Sequence, residues 1–279
     1  MFDLQAAERI RALLLETIKR NTPHVFVKAQ HVIEQANQRL EFLPEWKRVE
    51  IKPSYLKVDQ EFYQQAVTYN TQNEVLYLYD KILADDERLL RKTFTGLLNR
   101  PQITLRTPRT KRNWIDQLKD ESSPLYTNEK SKPEYEKAIS YQANTCIDIF
   151  TKPIAVLAGG AGTGKSTVAT AYINGVKQVE GEGAAICVLA PTGKAADRIR
   201  SELDTKEIIG GVGVNTIHSL LASNSWLNKN MSIKRSGGRS ITRYSTLIID
   251  ECSMIDVSLF ASLIRAIDWE YVTRVLFVG

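Results

Sequence analysis

The nine residues GGAGTGKST, Gly159 to Thr167, constrain this 279-residue chain more than any other stretch. Gly159, four residues, then Gly164-Lys165-Ser166 is the spacing of a loop that wraps a phosphate chain. Its glycines let backbone N–H groups turn inward, and its lysine reaches the outer phosphates. The flanks fit that use. IAVLA, Ile154 to Ala158, reads as a strand before the loop, and Ser166 to Val179 reads as a helix after it, so a helix N-terminus faces the phosphates. The candidate nucleotide ligands are Gly159, Gly160, Ala161, Gly162, Thr163, Gly164, Lys165, Ser166 and Thr167.

Three further apolar runs follow at α/β spacing: AAICVLA (Ala184 to Ala190), TLIID (Thr246 to Asp250) and RVLFV (Arg274 to Val278). Runs this uniformly apolar, separated by helical stretches, indicate parallel strands buried on both faces. TLIID ends in Asp250, and Glu251 follows it, which puts two carboxylates at the sheet edge. Nucleotide hydrolysis needs a metal to neutralise developing charge and a base to orient the attacking water. Ser166 and Asp250 are therefore assigned to Mg²⁺, Lys165 to the β- and γ-phosphates of ATP, and Glu251 to water activation.

Upstream, Leu4, Ala7, Ile10, Leu14 and Ile18 recur at helical spacing, and Asn21-Thr22-Pro23 stops the helix. A short apolar run HVFV, helices near Gln30 to Leu40 and Val58 to Tyr69, a strand from Glu74 to Tyr79 and a helix from Ile82 to Leu98 follow. The order suggests a small, mostly helical, winged-helix-like domain. Its candidate reading helix, VDQEFYQQAVTYN, carries Asp59 and Glu61 and no Lys or Arg, which favours packing or docking over base reading. The resulting division is a helix at 1–20, a winged-helix-like domain at 21–100, a polar Pro-, Thr- and Ser-rich linker at 101–132, and an α/β domain at 133–279.

A formal net charge of +5 is compatible with a polyanionic partner without requiring one. Its placement says more. No acid lies between Glu207 and Asp250, while Lys229, Lys234, Arg235, Arg239 and Arg243 do; a second cluster, RTPRTKR, holds Arg106, Arg109, Lys111 and Arg112. Within the first interval, Ile233 and Ile241 flank Ser236-Gly237-Gly238, the pattern of a β-hairpin turning at the glycines. Three scattered cysteines, Cys146, Cys187 and Cys252, show neither disulfide nor metal-ligand spacing, and no run approaches the ~18 residues of a membrane span. A cytoplasmic location is the expectation.

LAPTGKAADRI (Leu189 to Ile199), NTIHSLL (Asn215 to Leu221), IIDECSMID (Ile248 to Asp256) and LFVG (Leu276 to Gly279), in that order after GGAGTGKST, resemble motifs Ia, Ib, II and the start of III of superfamily 1 helicases. They are most similar to the RecD-like branch, whose members translocate 5′ to 3′ on DNA. Arg9 to Asn37 resembles the region ahead of the motor in the longer RecD-like helicases that work without RecBC partners. The resemblance implies a RecA-like motor domain, ATP and Mg²⁺ as cofactors, and single-stranded DNA and single/double-strand junctions as partners. It implies that Gln142 reads adenine and that Pro191, Thr192, Lys194, Thr216 and His218 line the strand track. It also implies that the basic hairpin, about 223–244, is the strand-separating pin, with Lys234, Arg235, Arg239 and Arg243 on phosphates. A second RecA-like domain carrying an arginine finger is expected beyond Gly279. Ala161, Ser166 and Cys252 stand where the family usually has Pro, often Thr and often Ala. A P-loop ATPase that does not translocate, or a nucleotide-binding subunit of a nuclease assembly, remains the alternative.

Overall fold

The computed structural model describes residues 4–21, 26–45, 48–120, 133–160, 162–181, 184–205 and 208–279. It divides into two compact units, 1–89 and 90–279.

The first unit contains α1 (Leu4–Arg20), β1 (Val27–Lys28), α2 (Ala29–Leu40), α3 (Ser54–Val58), α4 (Gln60–Tyr63), β2 (Val67–Gln72) and β3 (Val75–Asp80). Its antiparallel sheet has the order β1-β3-β2, in a chain order of helix, strand, three helices and two strands. Leu14 and Ile18 of α1 are buried with Val32, Ile33, Leu56, Tyr63 and Leu78. The 1–20 helix therefore contributes to this unit's core. The expected helix at Val58 to Tyr69 is also corrected. The helices stop by Tyr63, and Val67 onward pairs with β3 through Gln72↔Val75. The two-residue turn between them, Asn73-Glu74, has φ of 48° and 63°. That is the left-handed pair a tight hairpin demands, made here without glycine. The Arg11 guanidinium holds Asp59 at 2.7 Å and pulls its carboxyl below the ordinary range, so the acid of the supposed reading helix is spent on α1.

Helix α5 (Lys81–Leu98) runs from the first unit into the second. There Arg100 donates to the carbonyls of Val272 and Trp269 at 2.6 and 2.7 Å. Residues 101–120 are not a linker. Ile103 N–H bonds to the Thr151 carbonyl at 2.7 Å, and α6 (Lys111–Lys119), capped by a Thr110–Asn113 capping box, buries Trp114 and Leu118 in the α/β core. Gly175 permits this: a Cβ there would lie 2.5 Å from the Trp114 ring. Arg109, at 4.1 Å over the same ring and bonded to Gln117 and Gln178, is a packing residue. The remainder of the expected linker, 121–132, lies outside the described residues.

The second unit continues with α7 (Pro133–Phe150), β4 (Ile154–Leu157), α8 (Lys165–Glu180), β5 (Ile186–Ala190), α9 (Gly193–Thr205), β6 (Val212–Thr216), α10 (Ile217–Ser223), β7 (Thr246–Ile249), α11 (Val257–Ala266) and β8 (Arg274–Val278). The sheet is wholly parallel with the order β4-β8-β7-β5-β6. One apolar cluster covers each face, with Tyr172, Val176, Val188 and Ile248 on one and Leu189, Ile217, Leu247 and Phe277 on the other. This is the RecA-like P-loop α/β core expected from the four apolar runs. The strand missed by pattern is β6, VGVNT. Its glycine and asparagine interrupt the apolar run, while Val212 and Val214 still register with Ile186 and Val188 of β5.

Candidate nucleotide site

Parallel strands deliver their following loops to one edge, and here that edge collects the chemistry. The phosphate loop leaves β4, Asp250 and Glu251 leave β7, and Gly279 leaves β8 between them. Gly159 N–H donates to the Gly279 carbonyl at 3.2 Å, and Gly279 N–H to Leu157 at 3.1 Å. A Cβ at Gly279 would stand 3.0 Å from the Cys252 sulfur, so this residue joins the two halves of the site.

Within the loop, Gly162 and Gly164 have φ of +75° and +84°, values that favour glycine and aim consecutive N–H groups into the loop's hollow. Lys165 Nζ donates to the carbonyls of Gly159 and Gly160 at 2.6 and 2.9 Å, so its ammonium is already held across the loop mouth. Thr163 Oγ1 donates to Gly160 at 2.8 Å. Ala161 lies outside the described residues. Thr167 is buried at the start of α8. Gln142 of α7 lies under the loop: Nε2 donates to the Thr163 carbonyl at 3.1 Å, and a Cβ on Gly164 would come within 2.4 Å of it. Gln142 Oε1 is buried with no hydrogen-bond partner among the described residues.

The residues present fit a metal–nucleotide pair. Ser166 and Asp250 line one cleft with Thr170, Glu202 and Val278. Asp250 and Glu251 already attract a cation: Arg198 Nη2 of α9 lies 3.1 Å from Asp250 Oδ2 and 3.4 Å from Glu251 Oε1. Glu251 adopts φ 50°, a conformation that costs a non-glycine residue energy and recurs at functional sites. Arg198 was missed by the sequence reading.

The next strands along the same edge carry the candidate track. Ala190 of β5 registers with Thr216 of β6, so Pro191, Thr192 and Lys194 emerge beside Thr216 and His218. Thr192 Oγ1 accepts from Ala195 N–H at 3.3 Å and Thr216 Oγ1 from Ser219 N–H at 3.0 Å. Both hydroxyls cap helices, while Lys194 and His218 are exposed.

The basic interval is corrected. No hairpin turns at Gly237-Gly238. The chain reverses at Asn228 to Ser232, where Asn228 N–H bonds to Ser232 and Leu227 bridges Ile233. Trp226 is the reason: it is buried, donates from Nε1 to the Arg239 carbonyl at 2.8 Å, and sits where a Cβ on Gly238 would be at 2.4 Å. Gly238 serves ring packing rather than a turn. Lys234 Nζ is bonded to Ser225, and the Arg243 guanidinium lies 4.5 Å over the Tyr244 ring. The segment, which also contains Arg235, follows the far end of α10 and rejoins at Ile241 and Ser245. These two bond to Ala266 and to Ala185, ahead of β5. Lys234, Arg239 and Arg243 thus belong toward the amino ends of the strands and are not gathered with Thr192 and Thr216.

Burial pushes the Cys146 and Cys187 thiols up to about 12. All three cysteines are unpaired. No helix among the described residues is long and apolar enough to cross a membrane.

Residues 142–279 match the family model described as an AAA domain. The chain is 27% identical, over all of its length and 24% of the relative's, to an uncharacterized protein of Methanocaldococcus jannaschii. It is 28% identical over 54% of its length to the RecBCD enzyme subunit RecD of Haemophilus influenzae, and 32% identical over 50% to the ATP-dependent RecD2 DNA helicase of Deinococcus radiodurans. It spans 25% and 17% of those two proteins.

Proposed function

We propose that the second unit is an ATPase domain of the superfamily 1 helicase-like kind and that the chain couples ATP hydrolysis to movement along single-stranded DNA, as a RecD-like motor of recombination or repair; the match to the AAA domain model and the similarity to RecD and RecD2 support this reading. The observation that carries this reading is the sheet edge itself. Phosphate loop, paired carboxylates and the exposed Lys194 and His218 emerge from β4, β7, β5 and β6, with β8 and its Gly279 between β4 and β7, at one end of one parallel sheet.

Mg²⁺ would supply charge neutralisation for the transferring phosphoryl group. Ser166 and Asp250 would hold it. Lys165 exchanges its bonds to Gly159 and Gly160 for the outer phosphates, and loop N–H groups cradle the rest. Glu251, the more exposed of the two carboxylates, orients the attacking water and takes its proton. Gln142 offers the buried Oε1 to the exocyclic amine of adenine while Nε2 keeps the loop in place. Backbone phosphates of the strand rest on Lys194, His218 and the N–H groups opening α9.

The test is a pair of variants in the whole protein. Glu251→Gln should retain ATP affinity while hydrolysis falls at least about 100-fold, the scale of a lost general base. Lys165→Ala should weaken nucleotide binding itself. Wild-type hydrolysis in Glu251→Gln removes the assignment.

A further inference from the structure

Arg198 is the cation that already neutralises the candidate metal ligand and the candidate base. Its Nη2 reaches Asp250 at 3.1 Å and Glu251 at 3.4 Å. Asp250 is the more enclosed carboxylate, its side chain 16% exposed against 34% for Glu251 and 55% for Arg198. Two adjacent carboxylates at a sheet edge repel each other, and one shared guanidinium relieves that.

The same contact is incompatible with catalysis. A divalent cation bound at 2.0–2.1 Å from carboxylate oxygen would lie within a few ångströms of the guanidinium, and like charges at that distance in a half-enclosed site repel strongly. Glu251 also has to face water rather than an arginine. For an ion to bind between the carboxylates, Arg198 has to move. It can: the side chain is long and exposed. Glu202, one turn further along α9, accepts from Thr170 Oγ1 at 3.1 Å and lines the same cleft as Ser166 and Asp250.

The helix that carries Arg198 also carries the candidate track. Lys194 and Arg198 are four apart on α9 (Gly193–Thr205) and share a face. A phosphate drawn onto the first turn of α9 pulls on the residue that guards Asp250 and Glu251.

We propose that Arg198 is a positioning residue that stands in for the divalent cation in the nucleotide-free state, and that α9 couples its displacement to strand binding at Thr192 and Lys194. The inference rests on the metal and strand assignments of the preceding section. It makes metal affinity and strand affinity reciprocal.

The test uses Mn²⁺ alone as probe, titrated into the intact chain and followed by electron paramagnetic resonance of the free ion. Arg198→Gln should bind Mn²⁺ at least about tenfold more tightly than wild type, because the ion no longer displaces a charge-assisted hydrogen bond. Arg198→Lys, which keeps the charge, should stay near wild type. A single-stranded oligothymidine should tighten Mn²⁺ binding to wild type and add nothing in Arg198→Gln. Unchanged or weaker Mn²⁺ binding in Arg198→Gln, in a protein of unaltered circular dichroism, overturns the stand-in role, and an oligothymidine without effect on wild type overturns the coupling. Asp250→Asn separates this from the underlying site: Mn²⁺ binding that survives it shows that Asp250 is not the metal ligand.

Discussion

Gln142 Nε2 donates to the Thr163 carbonyl across 3.1 Å from beneath the phosphate loop, while Gln142 Oε1 is buried without a partner among the described residues. An unsatisfied buried acceptor is costly, and a ligand that donates there recovers the cost. Gln142→Leu should therefore weaken ATP binding about tenfold more than GTP binding, since guanine presents a carbonyl where adenine presents an amine. Competition between the two nucleotides for a fluorescent analogue measures this. Equal losses would reduce Gln142 to holding the loop.

Gly164→Ala should disable the same site from the other side. The position has φ +84°, and an added methyl would come within 2.4 Å of Gln142 Nε2. Left-handed backbone in a non-glycine residue costs about 1–3 kcal/mol, and the loop has a cheaper escape in opening. Nucleotide binding measured by calorimetry should be lost while the circular dichroism spectrum of the chain is retained. Wild-type affinity would show that the loop tolerates another backbone path.

Gly175→Ala tests whether residues 101–120 belong to the motor unit. A Cβ at this position meets Trp114 at 2.5 Å and Phe150 at 3.1 Å. Overpacking of that kind costs roughly 1–3 kcal/mol, to be read from the denaturant midpoint by tryptophan fluorescence. An unshifted midpoint would detach α6 from the core.

What the sequence disclosed and what it hid follow one physical divide. The phosphate loop, Asp250-Glu251 and the strands at 154–157, 186–190, 246–249 and 274–278 were legible, because backbone curvature and burial on two faces leave local signatures in glycine spacing and apolar runs. The hairpin at Asn73-Glu74 was hidden, because a left-handed pair without glycine looks like helix-compatible polar sequence. The roles of Gly238 and Trp114 were hidden too, since each answers to a partner 12 or more residues away, Trp226 and Gly175 respectively. Arg198 escaped because a single arginine on a helix carries no pattern; only the fold brings β7's carboxylates to it.

The buried thiols give a pH prediction. Cys146 and Cys187 are raised to about 12 by desolvation, against about 8.5 in an unfolded chain. A group whose folded value is raised contributes stability that is complete below the unfolded value and is lost as pH rises toward the folded one. The second unit should hold its denaturation midpoint up to about pH 8.5 and lose it progressively toward pH 12, less so in Cys146→Ala/Cys187→Ala. A midpoint with the same alkaline fall in that double variant would place the titration elsewhere.

The central claim is that hydrolysis at Lys165, Asp250 and Glu251 answers to a strand lying on Lys194 and His218. The direct measurement is steady-state ATP hydrolysis by the whole protein with and without single-stranded DNA, in wild type and in Lys194→Ala/His218→Ala. The strand should stimulate hydrolysis at least about tenfold, and the stimulation should be largely lost in the double variant while ATP binding persists. Hydrolysis indifferent to DNA in wild type, with Glu251→Gln still inactive, would contradict it and leave a P-loop ATPase that does not translocate.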